Sequence, residues 1–307
     1  MREKYVSAVS IVVFAAVLCS RPIPGFASIL DSGDAFAVLG SSTVSNTGSS
    51  TVTGDVGLSP GPSIVGFAIP PANVLVEGPG STGLIDGPGL VTGTIRIRDG
   101  LAGLAQTNAT AAWTGLKNMP FTSNLSGQVL GDGGTLPTLT PGVYHFDTSA
   151  QLTGALTLDA EGNNNAFWVF QTGTTLKTAS ASSVALINPG ANNGVFWQVG
   201  SSATLGTTTS FVGNILADQS VTLTTGANIT CGRAFALNAA VTMDTNNISI
   251  ACGQGTGGTS RGFTGGLKFD KKGEVVPGPV VPEPATMLLF GLGGLSALGF
   301  RRRLSFR

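Results

Sequence analysis

The stretch Tyr144-His145-Phe146-Asp147-Thr148-Ser149-Ala150-Gln151-Leu152 reads as alternating apolar residues, a small polar turn, and a closing leucine. The phrase returns at Trp168-Val169-Phe170-Gln171-Thr172-Gly173-Thr174-Thr175-Leu176 and at Trp197-Gln198-Val199-Gly200-Ser201-Ser202-Ala203-Thr204-Leu205. Val221-Thr222-Leu223-Thr224-Thr225-Gly226-Ala227-Asn228-Ile229 and the shorter Val241–Ile248 continue it. Turns at Thr148, Thr172, Ser201, Thr225 and Thr245 are 20 to 29 residues apart. Strand-length pieces repeating at such a period predict a β-solenoid, one coil per repeat. Period-2 alternation then assigns inward columns: Tyr144, Trp168, Trp197, Val221 and Val241, and Phe146, Phe170, Val199, Leu223 and Met243. Trp168 and Trp197 are expected to stack on neighbouring coils with Tyr144 beside them. Leu152, Leu176, Leu205, Ile229 and Ile248 point inward after the turn.

A third strand per coil is legible in Ala155–Leu158, Val184–Ile187, Phe211–Ile215 and Ala234–Leu237, giving a triangular cross-section. A β-sandwich also has short strands at regular spacing, but it gives no reason for aromatic residues to recur in register. Upstream, Gly40-Ser41-Ser42-Thr43-Val44 and Gly48-Ser49-Ser50-Thr51-Val52 read as a further coil, which makes the solenoid discontinuous in sequence. Between them and the main repeat, residues 99–118 read as a helix. Leu101, Leu104, Ala105, Ala109, Ala112, Trp113 and Leu116 form its apolar stripe, Asp99 stands at the start and Pro120 stops it. Gly100, Gly103 and Gly115 lower its propensity by roughly 1 kcal/mol each, so it needs a surface to lie on.

Of 307 residues 45 are Gly, 10% are charged, and the formal net charge is zero. No basic surplus exists to neutralise phosphates, which argues against a nucleic-acid partner. Residues 1–27, with Arg2 and Lys4 before the apolar Val6–Cys19, read as a secretory signal peptide cleaved after Ala27. Acylation at Cys19 is disfavoured by Leu18. An oxidising compartment allows Cys231 and Cys252 to pair. A regular ladder would hold their Cα atoms about 8 Å apart, so pairing requires the terminal coil to shift. A Gly/Pro-rich linker over 256–281 separates the 28–255 domain from the C-terminus. There Val281-Pro282-Glu283-Pro284, the apolar Ala285–Phe300 and Arg301-Arg302-Arg303 resemble the PEP-CTERM sorting signal of exopolysaccharide-producing bacteria. The 16-residue apolar run is about 24 Å long as a helix. The resemblance implies export to the surface, a transient or permanent transmembrane anchor at 282–307, and an exosortase-type protease acting at Pro282-Glu283-Pro284.

The string Ala37–Gly40 through Thr51-Val52-Thr53-Gly54-Asp55-Val56-Gly57-Leu58-Ser59-Pro60-Gly61 resembles the secreted microbial ice-binding proteins of the β-solenoid type. So do the flanking helix followed by Leu139-Thr140-Pro141-Gly142-Val143-Tyr144 and the Phe/Trp-rich strands. That family implies a right-handed irregular β-helix with one long helix alongside, and a flat face that binds ice. Several members carry a Thr-Ala/Gly-X-Thr/Asn motif. Thr172-Gly173-Thr174-Thr175 and Thr225-Gly226-Ala227-Asn228 match it, whereas Thr148–Gln151 and Ser201–Thr204 depart from it.

A lattice binder needs rigid, evenly spaced side chains with methyl and hydroxyl character, which threonine supplies through its fixed χ1. The expected ice row runs over Thr51/Thr53, Gln151/Thr153, Thr175/Lys177, Thr204/Gly206, Asn228/Thr230 and Asn247/Ser249. With the motif positions, the candidate ice contacts are Thr51, Thr53, Thr153, Thr172, Thr175, Thr204, Thr225, Asn228 and Thr230. A competing outward row holds His145, Val169, Gln198, Thr222, Thr242 and Asp244, so Thr204→Tyr is expected to abolish ice shaping and Thr222→Tyr to be milder. The expected partners are an ice surface, the processing protease and, as a second candidate, exopolysaccharide. A structural or adhesive matrix protein is the alternative function. An enzyme is disfavoured: Asp147, Asp159, Glu161, Asp218 and Asp244 fall in different columns or turns, and no catalytic site, metal or cofactor is expected.

Overall fold

A computed structural model describes residues 28–81, 86–252 and 262–278. The chain winds as a parallel β-solenoid with three faces. On the first, strands follow one another in the order Val74–Glu77, Thr94–Ile97, Asp55–Leu58, Phe36–Gly40, the second half of Asn228–Ala236, that of Ser210–Ala217, Gly194–Val199, Phe167–Thr172, Gly142–Phe146 and Ser123–Asn124. The second is an eight-stranded sheet from Val129–Leu130 to Ser63–Val65. The third runs through Ala155–Asp159, Ser183–Ile187, the first halves of the two long strands, Asn247–Ser249, Thr51–Thr53 and Leu90–Val91.

The solenoid is indeed discontinuous in sequence. Val38 and Leu39 pair with Ala234 and Phe235, so the first coil stacks on the last one of the main repeat. Helix α1 (Gly100–Lys117) then carries the chain back along the first face to Ser123 at the opposite end. Asp99 caps it by accepting from the Ala102 N–H at 2.7 Å, which satisfies one orphan donor of the first turn. The buried stripe is Ala102, Ala105, Ala109, Ala112 and Leu116, whereas Leu101 and Leu104 are half exposed. The stripe is therefore rotated from the expected one. Small alanines let the helix sit close on Phe36, Leu39, Val143, Val169, Phe196, Leu216 and Phe235, which form one cluster with it.

The register differs from the expected columns. Tyr144 pairs with Phe170 and Phe170 with Trp197, while Trp168 pairs with Gly142 and Val195. Trp168 and Trp197 are both fully buried but do not stack on each other. Instead Phe170 lies 3.8 Å from Trp197 and 5.7 Å from Tyr144, centroid to centroid. Val221 and Val241 belong to the second face. The cause is a change of coil length. Tyr144 to Phe170 and Phe170 to Trp197 take 26 and 27 residues, but Trp197 to Ile215 and Ile215 to Ala234 take 18 and 19. In the short coils one strand bends round a corner where the long coils have loops. Gly213 (φ 108°) and Gly232 (φ 156°) pair at that bend, and a Cβ on Gly232 would meet the Gly213 carbonyl oxygen at 1.9 Å.

Cys231 and Cys252 form a disulfide with Cα atoms 5.0 Å apart. The register shift beside Val212, which faces Cys231, supplies the departure from a regular ladder that the pairing needs. Residues 262–278 are not a loose linker. They fold back as a strap, with Thr264 bridging Gly194 and the hairpin Leu267–Phe269/Val275–Pro277 lying on α1. Gly115 makes this approach possible, since a Cβ there would meet Val275 Cγ2 at 2.3 Å. The fully buried Arg233 donates to Asn214 Oδ1, the Gly262 carbonyl and the Asp34 carbonyl, tying both ends of the domain to its body.

Candidate functional site

Of the three faces, the first cannot meet a flat partner, because α1 covers it. The row expected to point into solvent there is largely buried: Val169 and Gln198 are inaccessible, and His145 is half-buried. Gln171 on the same face donates to the Leu116 and Met119 carbonyls, satisfying orphan acceptors at the helix end. Its Oε1 lies 3.2 Å from His145 Nδ1, whose Nε2 lies 3.2 Å from Asp147 Oδ1. Phe121 stacks on the same ring, so His145 is a held residue and not a solvated one.

The second face is open. Its eight strands are parallel, and pairing fixes one outward row from Val129 through Gln151, Lys177, Thr204, Thr222, Thr242 and Ser45 to Val65. Two residues earlier, at the start of each strand or just before it, lies a second outward row: Ser149, Thr175, Ser202, Ser220, Ala240, Thr43 and Ser63. The Ser220 hydroxyl donates to that of Ser202 at 2.9 Å, which locks neighbouring coils in step. Below this surface the core is apolar, with Ala150, Leu176, Ala203, Val221, Val241, Val44 and Ile64 all buried. Strand pairing sets rows about 4.8 Å apart and residues i and i+2 about 6.6 Å apart, a two-dimensional grid of hydroxyls and methyls. Among the described residues Lys177 is the one cation on it. Asp244 lies at its edge, where hydrogen bonds from the Thr225 and then the Thr245 hydroxyl hold its carboxyl below the usual range.

The expected row divides between two faces. Thr153, Thr175 and Thr204 lie on the open face. Thr51, Thr53, Asn228 and Thr230 lie on the third, where Asn247 pairs with Thr51 and Ser249 with Thr53. Thr172 is 1% exposed and belongs to the core, so it cannot touch a partner surface. Thr225 is in the turn leaving the open face, bound to Asp244. The two motif matches thus sit at different corners of the prism. Thr222, which the sequence alternation puts in a competing row, is the direct neighbour of Thr204, and Thr242 is the next in the same row, so Thr204→Tyr and Thr222→Tyr do not discriminate between faces. The missed signal was the Gly213/Gly232 pair, which shortens the coils and moves the later copies of the repeat round by one face.

The third face is less regular. A register shift interrupts it between Phe211 and Val212, and its strands on either side of the bend share single pairs, Ser183 with Ser210 and Ile229 with Ile248. Among the described residues no group of three His, Cys, Asp or Glu side chains converges as metal ligands. Nor is any described helix long and apolar enough to cross a membrane. Residues 1–27 and 282–307, the expected leader and anchor, lie outside the described residues.

Comparison with known proteins bears on this geometry. Residues 38–249 match the model of a family described as ice-binding-like, and residues 280–303 match the PEP-CTERM protein-sorting motif. An ice-binding protein of Nostoc sp. (strain HG1) is 44% identical over 307 residues, covering 100% of this chain and 98% of that one. An ice-binding protein of Flavobacterium frigoris (strain PS1) is 30% identical over 70% of this chain and 73% of its own. Among solved structures, an ice-binding protein from the Antarctic ascomycete Antarctomyces psychrotrophicus superposes with a TM-score of 0.60 at 32% identity. It covers 73% of this chain and 98% of that one.

Proposed function

This chain belongs to the ice-binding-like family, and on that footing we propose that it binds ice crystals through the open eight-stranded face and restrains ice growth or recrystallisation outside the cell. The observation that carries the reading is the unbroken register from Gln151 through Lys177, Thr204, Thr222 and Thr242 to Ser45. Ice presents a periodic array of oxygens. A binder gains from many weak contacts only if all of them are in phase with that array, and rigidity removes the entropy cost of bringing them into phase. Apart from Gln151 and Lys177, the side chains of the row from Gln151 to Ser45 are β-branched or short, and the apolar core beneath fixes their backbone. Methyl groups favour displacement of water from the face while hydroxyls retain hydrogen bonds to the lattice.

The proposed contacts are Thr204, Thr222, Thr242 and Ser45 in one row and Thr175, Ser202, Ser220, Thr43 and Ser63 in the other, with Thr153 at the flank. We assign Thr51, Thr53, Asn228 and Thr230 no primary role, because their face is interrupted. Export fits the match at 280–303: a leader removed after Ala27, and processing by an exosortase-type protease at Pro282-Glu283-Pro284. The test is recrystallisation of fine-grained ice in the presence of the 28–281 body, which includes the folded strap. The reading expects crystal coarsening to slow at micromolar protein. Coarsening at the rate seen with an unrelated protein would overturn it.

A further inference from the structure

The charge of this molecule is unevenly placed. Eight cations occur among the described residues: Arg96, Arg98, Lys117, Lys177, Arg233, Lys268, Lys271 and Lys272. Arg96 bridges Asp55 and Asp99, and Arg233 is buried. Three of the other six, Lys268, Lys271 and Lys272, lie together on the strap. The strap is packed on the helix, where Gly115 abuts Val275 and Phe269 of the hairpin. Within the hairpin Lys268 stands opposite Val276, on the side away from the buried Leu267 and Val275. Lys271 and Lys272 form its exposed tip. The strap's own carboxylates are Asp270, which accepts from the Lys272 and Glu274 N–H groups of its turn, and the exposed Glu274, so three cations stand against two carboxylates. The rest of the described chain has twelve carboxylates against five cations. An acidic body therefore ends in a basic strap.

That strap is where the chain leaves the fold. Gly278 is its last described residue, held by its N–H to the Gly266 carbonyl at 2.7 Å. Only residues 279–284 separate it from the apolar run starting at Ala285. Fully extended, that connection spans roughly 25 Å. A chain whose apolar run is in the bilayer therefore keeps the strap close to the headgroups at a high effective concentration, and a weak attraction suffices to dock it. We propose that the strap, through Lys268, Lys271 and Lys272, forms a docking surface for anionic phospholipid headgroups at the non-cytoplasmic membrane surface. Docking orients the anchored chain with its open face clear of the membrane. The inference rests on the reading of the C-terminus as a sorting segment that enters the bilayer. The strap lies over the helix-covered face, so a membrane there leaves the hydroxyl grid of the adjacent open face to the outside.

The test uses the full chain in nanodiscs and an amine-reactive reagent that does not cross membranes, with labelling of each lysine followed by mass spectrometry. Discs of phosphatidylethanolamine with phosphatidylglycerol are compared with discs of phosphatidylcholine alone. The expected result is that Lys271 and Lys272 react about threefold or more slowly in the anionic discs, while Lys177 on the open face reacts equally in both. Raised salt should restore the strap lysines, because the attraction is screened within a Debye length. Equal rates at Lys271 and Lys272 in the two discs would overturn the docking surface, as would equal protection of Lys177. A chain that does not enter either disc would overturn the anchor reading and this inference with it.

Discussion

The helix-covered face and the open face are built on the same coils, share one apolar interior, and differ only in what points outward. On the covered face the outward residues are Val143, Val169, Phe196, Leu216, Phe235 and Leu39, and an alanine-striped helix seals them from water. On the open face the corresponding positions hold Thr204, Thr222, Thr242 and Ser45, short side chains too polar to be worth covering and too regular to be a random surface. Strand geometry supplies the grid in both cases. Outward chemistry decides whether the grid takes a helix or remains free for a lattice.

The largest expected effect falls on the interior common to both faces. Trp197 is fully buried, stacks on Phe170, and donates from Nε1 to the Val212 carbonyl at 3.1 Å. Trp197→Ala should lower the unfolding free energy by about 3–5 kcal/mol in guanidinium titration. A loss below about 1 kcal/mol would break the account of one shared aromatic column. Next comes the covered face alone. Ala109 is wholly buried between helix and sheet, so Ala109→Leu should cost about 1–3 kcal/mol by overpacking. Its thermal melt should drop while ice shaping by the folded fraction is retained. Lost ice shaping at unchanged stability would place the functional surface on the wrong side of the prism.

How much of this was legible beforehand follows the same division. The solenoid, its triangular section, the discontinuous first coil and the helix could all be read, because alternation and capping are local signals that coil length does not disturb. The aromatic register and the face assignment of individual threonines could not. From Tyr144 to Leu205 every copy of the repeat begins on the covered face, so Thr175 and Thr204 lie on the face after the turn, as the alternation predicts. From Val221 onward the copies begin on the open face, because the strands turning at Gly213 and Gly232 dispense with a loop. Asn228 and Thr230, expected beside Thr204, consequently lie one face further on, and Thr222, expected on a competing face, is adjacent to Thr204. Likewise Thr172 matched a motif but alternates inward, level with Phe146 and Val199. The strap was missed because Gly/Pro content suggests a linker, while its anchors, Arg233 and the gap at Gly115, are far away in sequence.

The smallest expected effect concerns pH. Hydrogen bonds from Thr225 and Thr245 make Asp244 more acidic in the folded chain than in the unfolded one. A carboxyl of that kind adds stability above its unfolded pKa, about 3.9, and loses it only as pH falls through the lower folded value. The edge of the open face should therefore be intact throughout the neutral and mildly acidic range, and ice shaping should be equal at about pH 5 and pH 8. A fall between those values would contradict it.

The central claim is that the open face, and not the third one, meets ice. It is tested most directly by ice shaping and recrystallisation assays on Thr222→Tyr and Thr51→Tyr side by side, with melting curves for both. Thr222 lies mid-row among neighbours that a bulky ring would lift off a flat lattice, whereas Thr51 is exposed on the interrupted face. Both variants should melt within a few degrees of the parent, since outward surface changes cost roughly 0.5 kcal/mol or less. Thr222→Tyr should abolish ice shaping and Thr51→Tyr should leave it nearly intact. Full activity in Thr222→Tyr with loss in Thr51→Tyr would contradict the account and move the site to the third face.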